Sequence, residues 1–294
     1  MASSAAISSP YTLRADKLKP LATCVTALPT SPQPVVLAIC GSFNPIHSAH
    51  FKLYSAAKTA LEADNTHTVL GGFVSPVSDA YGKPGLKSAA QRVRIVEDAV
   101  RGHMELNLDT WECQQPTYTR TFYVLQQLEQ HVDAWYTQHE PNEMNELKTY
   151  GRRVRVIFVC GADLFSSFWR PGCWALHLLK QLLDAFHVVV VHRDGQGEVQ
   201  CARDFERMCR HSPVLTEVAQ DGATTELDIR AYTFTFACFE QPDATSSTAV
   251  REIAAAMGTL KASGAAAFED LRRVLSSMVP ASAVSSILEC YGGG

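Results

Sequence analysis

Residues 35–50 read VVLAICGSFNPIHSAH. The first six are apolar and mostly β-branched, the mark of a strand buried on both faces. The chain then turns through Gly41, Ser42, Phe43, Asn44 and Pro45 into residues 48–63, SAHFKLYSAAKTALEA. Apolar residues at 49, 53, 56, 57, 60 and 61 keep helical spacing there. Strand, tight turn and helix in that order form the repeating unit of a parallel sheet with helices packed on it. Gly41 and Ser42 permit a turn with exposed backbone N–H groups, and Pro45 stiffens it. A helix starting near Ser48 aims its N-terminus at whatever the turn cradles, and free N–H groups there favour phosphate. Neither a Walker sequence nor GxGxxG is present, so this is not a P-loop or a dinucleotide fingerprint.

His47 and His50, three residues apart, leave three readings open. They hold a metal with Cys40 as a third ligand, they pack or cap, or they grip an anion. Zinc motifs pair histidines at i and i+4 or use cysteine pairs, so the spacing is a poor fit to metal. At a helix N-terminus after a strand, phosphate is the better answer, and of the two His50 is the stronger candidate.

The alternation continues outward. TVLGGFVS (68–75), MELNL (104–108), VRVIFVC (154–160), HVVVV (187–191) and AYTFTFACF (231–239) read as further strands. Residues 88–102, 118–138, 174–186 and much of the chain after Ser246 read as helices. The polar stretch 138–153, QHEPNEMNELKTYGRR, has no apolar period and reads as a surface loop. The expected fold class is therefore α/β: a mostly parallel sheet, helices on both faces and a helical C-terminal part. Residues 35–294 are expected to form one domain. Residues 1–34, rich in Ser, Ala and Pro, read as a loose N-terminal extension, a transit peptide being the weaker reading because basic residues are few and Asp16 interrupts.

Composition narrows the class. With 46% hydrophobic and 19% charged residues the profile is globular, and a net charge of −4 gives no footprint for nucleic acid or an anionic membrane. An anionic substrate must then be held by a local basic cluster. Nine cysteines without a CxxC, several inside apolar runs, behave like free thiols of a reducing compartment. No run reaches the roughly 18–20 apolar residues of a membrane span. An intracellular, cytoplasmic protein is expected.

In such sheets ligands bind beyond the carboxyl ends of the strands, which ranks three segments above the rest. GSFNPIHSAH is the first. SPVSDAYGKPGLK follows the second strand, and Lys83, Lys87, Arg92 and Arg94 form an acid-free basic run that is either a solvated face or a phosphate-facing loop. CGADLFSSFWRPGCW joins Asp163, suited to a ribose hydroxyl or a metal-bound nucleotide, to Trp174. Trp174 and Trp111 are either core residues or a sandwich for a planar ring. Near the C-terminus, Ser247, Thr248 and Arg251 of TSSTAVRE offer hydroxyls, N–H groups and a guanidinium fork, a second phosphate grip.

Taken in order, GSFNPIHSAH, SPVSDAYGKPGLKSAAQR, DTWE, CGADLFSSFW and SSTAVR resemble the nicotinamide/nicotinate mononucleotide adenylyltransferases of eukaryotic type. The resemblance runs from about Val35 to Tyr291. It implies a Rossmann-like nucleotidyltransferase fold and the joining of ATP to nicotinamide mononucleotide or nicotinate mononucleotide, with Mg²⁺ accompanying the triphosphate. Homo-oligomers are common in the family. By the same resemblance His50 is the catalytic histidine, with His47 and Arg251 in support. Gly41, Ser42 and Phe43 line a phosphate cradle shared by both substrates. Gly161 and Asp163 face the ATP ribose, while Ser247, Thr248 and Arg251 hold its β- and γ-phosphates. Lys83 takes the mononucleotide phosphate, and Trp111, Glu112 and Trp174 bracket the pyridine. The chain departs from the family at Ala49, where the wider superfamily writes glycine, at Thr245, and in an Ala-rich insert near 254–267. It also lacks the long basic insert of some nuclear members. A phosphopantetheine adenylyltransferase-like enzyme and a non-catalytic, chaperone-like nucleotide binder are the alternatives.

Overall fold

A computed structural model describes residues 11–26, 28, 30–193, 200–218, 222–260 and 265–293. A short helix α1 (Ala22–Val25) precedes strand β1 (Gln33–Gly41) and helix α2 (Ser48–Glu62). Then come β2 (His67–Pro76), α3 (Ala89–Val100), β3 (Leu106–Leu108), α4 (Thr121–His139) and α5 (Pro141–Thr149). Next in the chain are β4 (Arg155–Gly161), α6 (Ala162–Phe168), α7 (Leu176–Ala185), β5 (Val188–His192) and α8 (Gln200–His211). The chain continues with β6 (Val214–Val218), β7 (Thr224–Asp228), β8 (Thr235–Cys238), α9 (Ser247–Leu260), α10 (Ala265–Met278) and α11 (Val284–Tyr291).

Among the described residues one sheet has six strands in the order β3-β2-β1-β4-β5-β8, every pairing parallel. Its β-branched runs work as expected of strands covered on both faces. Along β1, Val35, Leu37 and Ile39 enter one core while Val36 and Ala38 enter the other. Along β4, Ile157 and Val159 oppose Val156, Phe158 and Cys160 in the same way. The first core is closed by α2, α3 and the C-terminal helices, the second by α4, α5, α6, α7 and the N-terminal residues. Because successive strands run outward from β1 on one side and from β4 on the other, a crevice opens where β1 and β4 end, at Gly41 and Gly161.

Four features differ from the sequence reading. Residues 141–149 form a helix rather than a loop, since Met144 and Leu147, three apart, bury one narrow face and Pro141 occupies its first turn. The antiparallel pair β6–β7 and helix α8 were not anticipated. Helix α4 starts at Thr121, which frees 118–120 for the site. Residues 11–26 are no loose tail: Leu13, Ala15, Leu18, Leu21 and Cys24 are buried in the second core. This arm also reaches the edge of the sheet, where the Lys17 ammonium donates to the Val100 and Leu106 carbonyls and its N–H to Asn107. The expectation for residues 1–10 lies outside the described residues.

The C-terminal helices pack backbone to backbone. A Cβ on Gly258 of α9 would coincide with the Gly292 carbonyl at the end of α11, so that crossing requires glycine.

Candidate active site

At the end of β1 the backbone turns sharply, and Phe43 adopts a φ of +41°, a conformation that non-glycine residues rarely hold. Its ring is buried, edge-on to His50 at 5.0 Å between centroids. A Cβ on Gly41 would come within 3.3 Å of the Phe43 ring, so Gly41 keeps the turn tight. His47 stands at the start of α2, and its backbone N–H donates to Nδ1 of His50 at 3.1 Å. With Nδ1 accepting, a neutral His50 carries its proton on Nε2. Burial, then the neighbouring His47 and Arg193, hold His50 well below the usual histidine range. Burial and Arg193 bring His47 down to about 4. Both are therefore neutral hydrogen-bonding groups at neutral pH. The metal reading of this pair finds no third ligand, since no three His, Cys, Asp or Glu side chains converge among the described residues.

Two cavities adjoin here. One of about 380 Å³ lies over the ends of β1, β4 and β5 and is lined by Gly41, Phe43, His50, Gly161, Asp163 and Arg193. The other, about 440 Å³, is lined by Ser42, Tyr81, Glu112, Tyr118, Thr121 and Trp174. Gly41, Cys40 and Leu164 belong to both walls, so the phosphate turn forms the partition between them.

Of the expected residues, Gly41, Phe43, His50, Gly161 and Asp163 thus meet on the first cavity, and Ser42, Glu112 and Trp174 on the second. His47 sits behind His50, its ring 3.9 Å from it, and does not line either wall. Trp111, expected beside the pyridine, is not among the residues that line either cavity. Its backbone N–H binds Asp109, and from its own loop the aromatic on the wall is Tyr118, seven positions later, beside Tyr81 and Trp174 from other segments. Lys83 is exposed on the loop after β2 and stands off the wall. Ser247, Thr248 and Arg251, in the first turns of α9, line neither cavity as it stands and are tied to the turn instead. The Ser247 hydroxyl donates to the Pro45 carbonyl at 2.8 Å, and Arg251 donates to the Asn44 carbonyl at 2.6 Å and to Thr248 at 3.1 Å.

The structure adds Arg193 to the site and gives Arg92, Asn44 and Glu112 surroundings that the sequence does not show. Arg193 lies just past β5, and the strand-end rule that singled out Asp163 points to it equally. Arg92 is 0% exposed and belongs to no basic face. Its guanidinium donates to the carbonyls of Ser42 (3.0 Å), Val77 (2.6 Å) and Lys87 (2.8 Å), tying the phosphate turn to the loop after β2. Asn44 completes that tie: its side chain donates to Gly85, accepts from the Lys87 N–H, and takes a hydrogen bond from the Tyr291 hydroxyl at 2.6 Å. Glu112 is 3% exposed. Burial, followed by the nearby Asp109, pushes its carboxyl up to about 8, so it is largely protonated at neutral pH.

A parallel sheet with this switch point, a glycine turn after its first strand and a histidine at the following helix start define a nucleotidyltransferase. Residues 38–253 match the family model described as Cytidylyltransferase-like, and the chain belongs to that family. Within it, the chain is 33% identical over 183 residues to the nicotinamide/nicotinic acid mononucleotide adenylyltransferase of Arabidopsis thaliana, covering 62% of this chain and 69% of that protein. It is 30% identical over 201 residues to form 1 of the same enzyme from Bos taurus, covering 60% and 71%. A solved structure, Plasmodium falciparum nicotinic acid mononucleotide adenylyltransferase complexed with NaAD, superposes with a TM-score of 0.51 over 87% of this chain and 96% of that one. At 13% identity it speaks for the fold.

Proposed function

We propose that the chain transfers the adenylyl part of ATP to nicotinamide mononucleotide or nicotinate mononucleotide, giving NAD or its deamido form and pyrophosphate. The observation that carries this reading is the pair of cavities meeting at Gly41. One offers Asp163 and Gly161 to a ribose, and the other offers Tyr118 and Trp174 to a planar ring. Those two aromatics favour a pyridine over a pantetheine chain.

A phosphate oxygen of the mononucleotide attacks the α-phosphorus of ATP. The new P–O bond forms as the bond to the oxygen bridging the α- and β-phosphorus breaks, and pyrophosphate leaves with those electrons. The attacking phosphate is already ionised, so no general base is needed, and catalysis is positioning plus charge stabilisation. His50 Nε2–H donates to the transferring phosphate, and Arg193 supplies a fixed positive charge on the same wall. The backbone N–H groups of Ser247 and Thr248 at the start of α9, the Thr248 hydroxyl and the remaining N–H groups of Arg251 take the β- and γ-phosphates, and Lys83 reaches the mononucleotide phosphate from the exposed loop after β2. Mg²⁺ entering with the triphosphate would neutralise its charge. Asp163 is the acidic side chain on that cavity wall that could hold the ion. Nine unpaired thiols favour the cytoplasm.

The test is a purified-protein assay with ATP, Mg²⁺ and each mononucleotide in parallel, following NAD and its deamido form by chromatography. Folded protein that makes neither product overturns the reading, and turnover with phosphopantetheine alone would move it to the other adenylyltransferase class.

A further inference from the structure

The N-terminal arm is tied to the loop that leads into the mononucleotide cavity. Residues 11–26 lie outside the stretch that matches the family, 38–253, yet they are packed and hydrogen-bonded to the core. The Lys19 N–H donates to the Leu70 carbonyl at 2.8 Å, and the Lys19 carbonyl accepts from the Tyr136 hydroxyl at 2.7 Å. The Lys19 ammonium pairs with Glu105, and the Leu21 N–H donates to Glu140 at 2.7 Å. With the middle of the arm fixed to β2, β3 and α4, Tyr11 reaches the carboxyl end of β3. There its hydroxyl donates to Asp109 Oδ1 at 2.9 Å while its ring packs edge-on against His131 of α4, 4.7 Å between centroids.

Asp109 is the hinge of the loop that forms one wall of the cavity. It is 1% exposed, and three donors satisfy its carboxylate: Tyr11 and the Trp111 N–H on Oδ1, and the Ser75 hydroxyl on Oδ2. Its own N–H is anchored to the Val74 carbonyl at 2.9 Å. From this anchored point the chain runs directly to Glu112, Tyr118 and Thr121 on the wall. A buried carboxylate keeps its charge only while its donors remain. Burial raises the Asp109 pKa, whereas the bonds from Trp111, Ser75 and Tyr11 oppose that rise. The Tyr11 phenol is itself held protonated by burial and Asp109, so it stays a donor.

We infer that Tyr11 is a positioning residue for the mononucleotide: the arm, by holding Asp109, sets the wall formed by residues 109–121. Tyr11 touches no substrate and acts through Asp109. The inference rests on assigning the second cavity to the mononucleotide.

The test is Tyr11→Phe in the full chain, which keeps the ring and removes the donor, beside Arg14→Ala, which removes only an exposed ion pair of the same arm with Glu97. Two readouts are taken: KM for each substrate, and amide exchange by mass spectrometry across residues 109–118 in the free protein. Loss of one hydrogen bond to a charged acceptor is expected to raise the mononucleotide KM about five- to tenfold and leave the ATP KM unchanged. Exchange in 109–118 speeds up, and Arg14→Ala changes neither readout. Unchanged exchange and unchanged KM in Tyr11→Phe overturn the inference. So does an equal rise in both KM values, which is what general loosening of the fold produces. Faster exchange with both KM values unchanged also overturns the role in substrate binding, and it faults the assignment of the cavity rather than the hold of Tyr11 on the loop.

Discussion

His50 and the aromatic pair are where chemistry and recognition separate. Replacing His50 with Ala removes one preorganised donor from the transferring phosphate, and kcat should fall about 10²–10³-fold with little change in KM. An unchanged kcat would leave the histidine a packing residue. On the other wall, Trp174→Ala and Tyr118→Ala should each raise the mononucleotide KM about tenfold through lost stacking, whereas Trp111→Phe should not. A Trp111→Phe defect as large as that of Tyr118→Ala would restore Trp111 to the wall. Glu112 adds a pH signature. In the unfolded chain its carboxyl titrates near the ordinary glutamate value, about 4.3, and in the folded protein it is pushed up to about 8. The folded state therefore holds the extra proton between those values, and its stability declines as pH rises through that window, by up to about 1.4 kcal/mol per pH unit. Glu112→Gln has no such slope, so its Tm advantage over the wild type should grow between pH 5.5 and 8.5. A difference that stays constant across that range would mean Glu112 is already ionised in the fold.

Among the elements, the strands were the most legible. β1, β4 and β5 are continuous apolar runs because both of their faces are covered, and no polar alternation dilutes the signal. Helix α5 was not legible, since only Met144 and Leu147 of its nine residues are buried and the rest face solvent. The β6–β7 pair likewise buries little, with Leu227 alone fully covered. The site was readable where the backbone dictates it, at Gly41, His50, Gly161 and Asp163, which sit at strand ends and a helix start. It was unreadable where tertiary contact decides. Arg92 shares a run with Lys83, Lys87 and Arg94 and looks in sequence like one more surface cation, while Tyr118 was absorbed into the apolar period of α4. The arm was missed for a similar reason: Leu13, Ala15, Leu18 and Leu21 are spaced for neither helix nor strand, because the arm follows the shape of the core beneath it. Arg92 belongs to this scale, as it joins the β1 turn to the loop preceding α3. Arg92→Lys keeps the charge but cannot reach three carbonyls at once, and should cost about 3 kcal/mol or more. Urea unfolding would measure this, and kcat/KM for both substrates should fall alongside it. A loss below about 1 kcal/mol would show that the loops hold each other without the guanidinium.

For the molecule as a whole, the family match, the parallel sheet and the crevice describe a nucleotidyltransferase in which two cavities meet at one glycine turn. That turn is supported from far along the chain. Tyr291 donates to Asn44 across 247 positions and Arg251 across 207, so the contacts that shape the turn form only when both ends of the sequence have come together. Long-range contacts of this kind are late to form, and are lost early when the C-terminal helices loosen. Catalytic competence is therefore less durable than the sheet that carries it. As urea is raised, turnover should disappear at a concentration where far-ultraviolet circular dichroism is still native, and Tyr291→Phe should widen the gap between the two curves. Coincident curves in both proteins would mean that the turn and the sheet melt as one unit. Partial damage to this protein would thus leave a population that still looks folded but no longer makes dinucleotide.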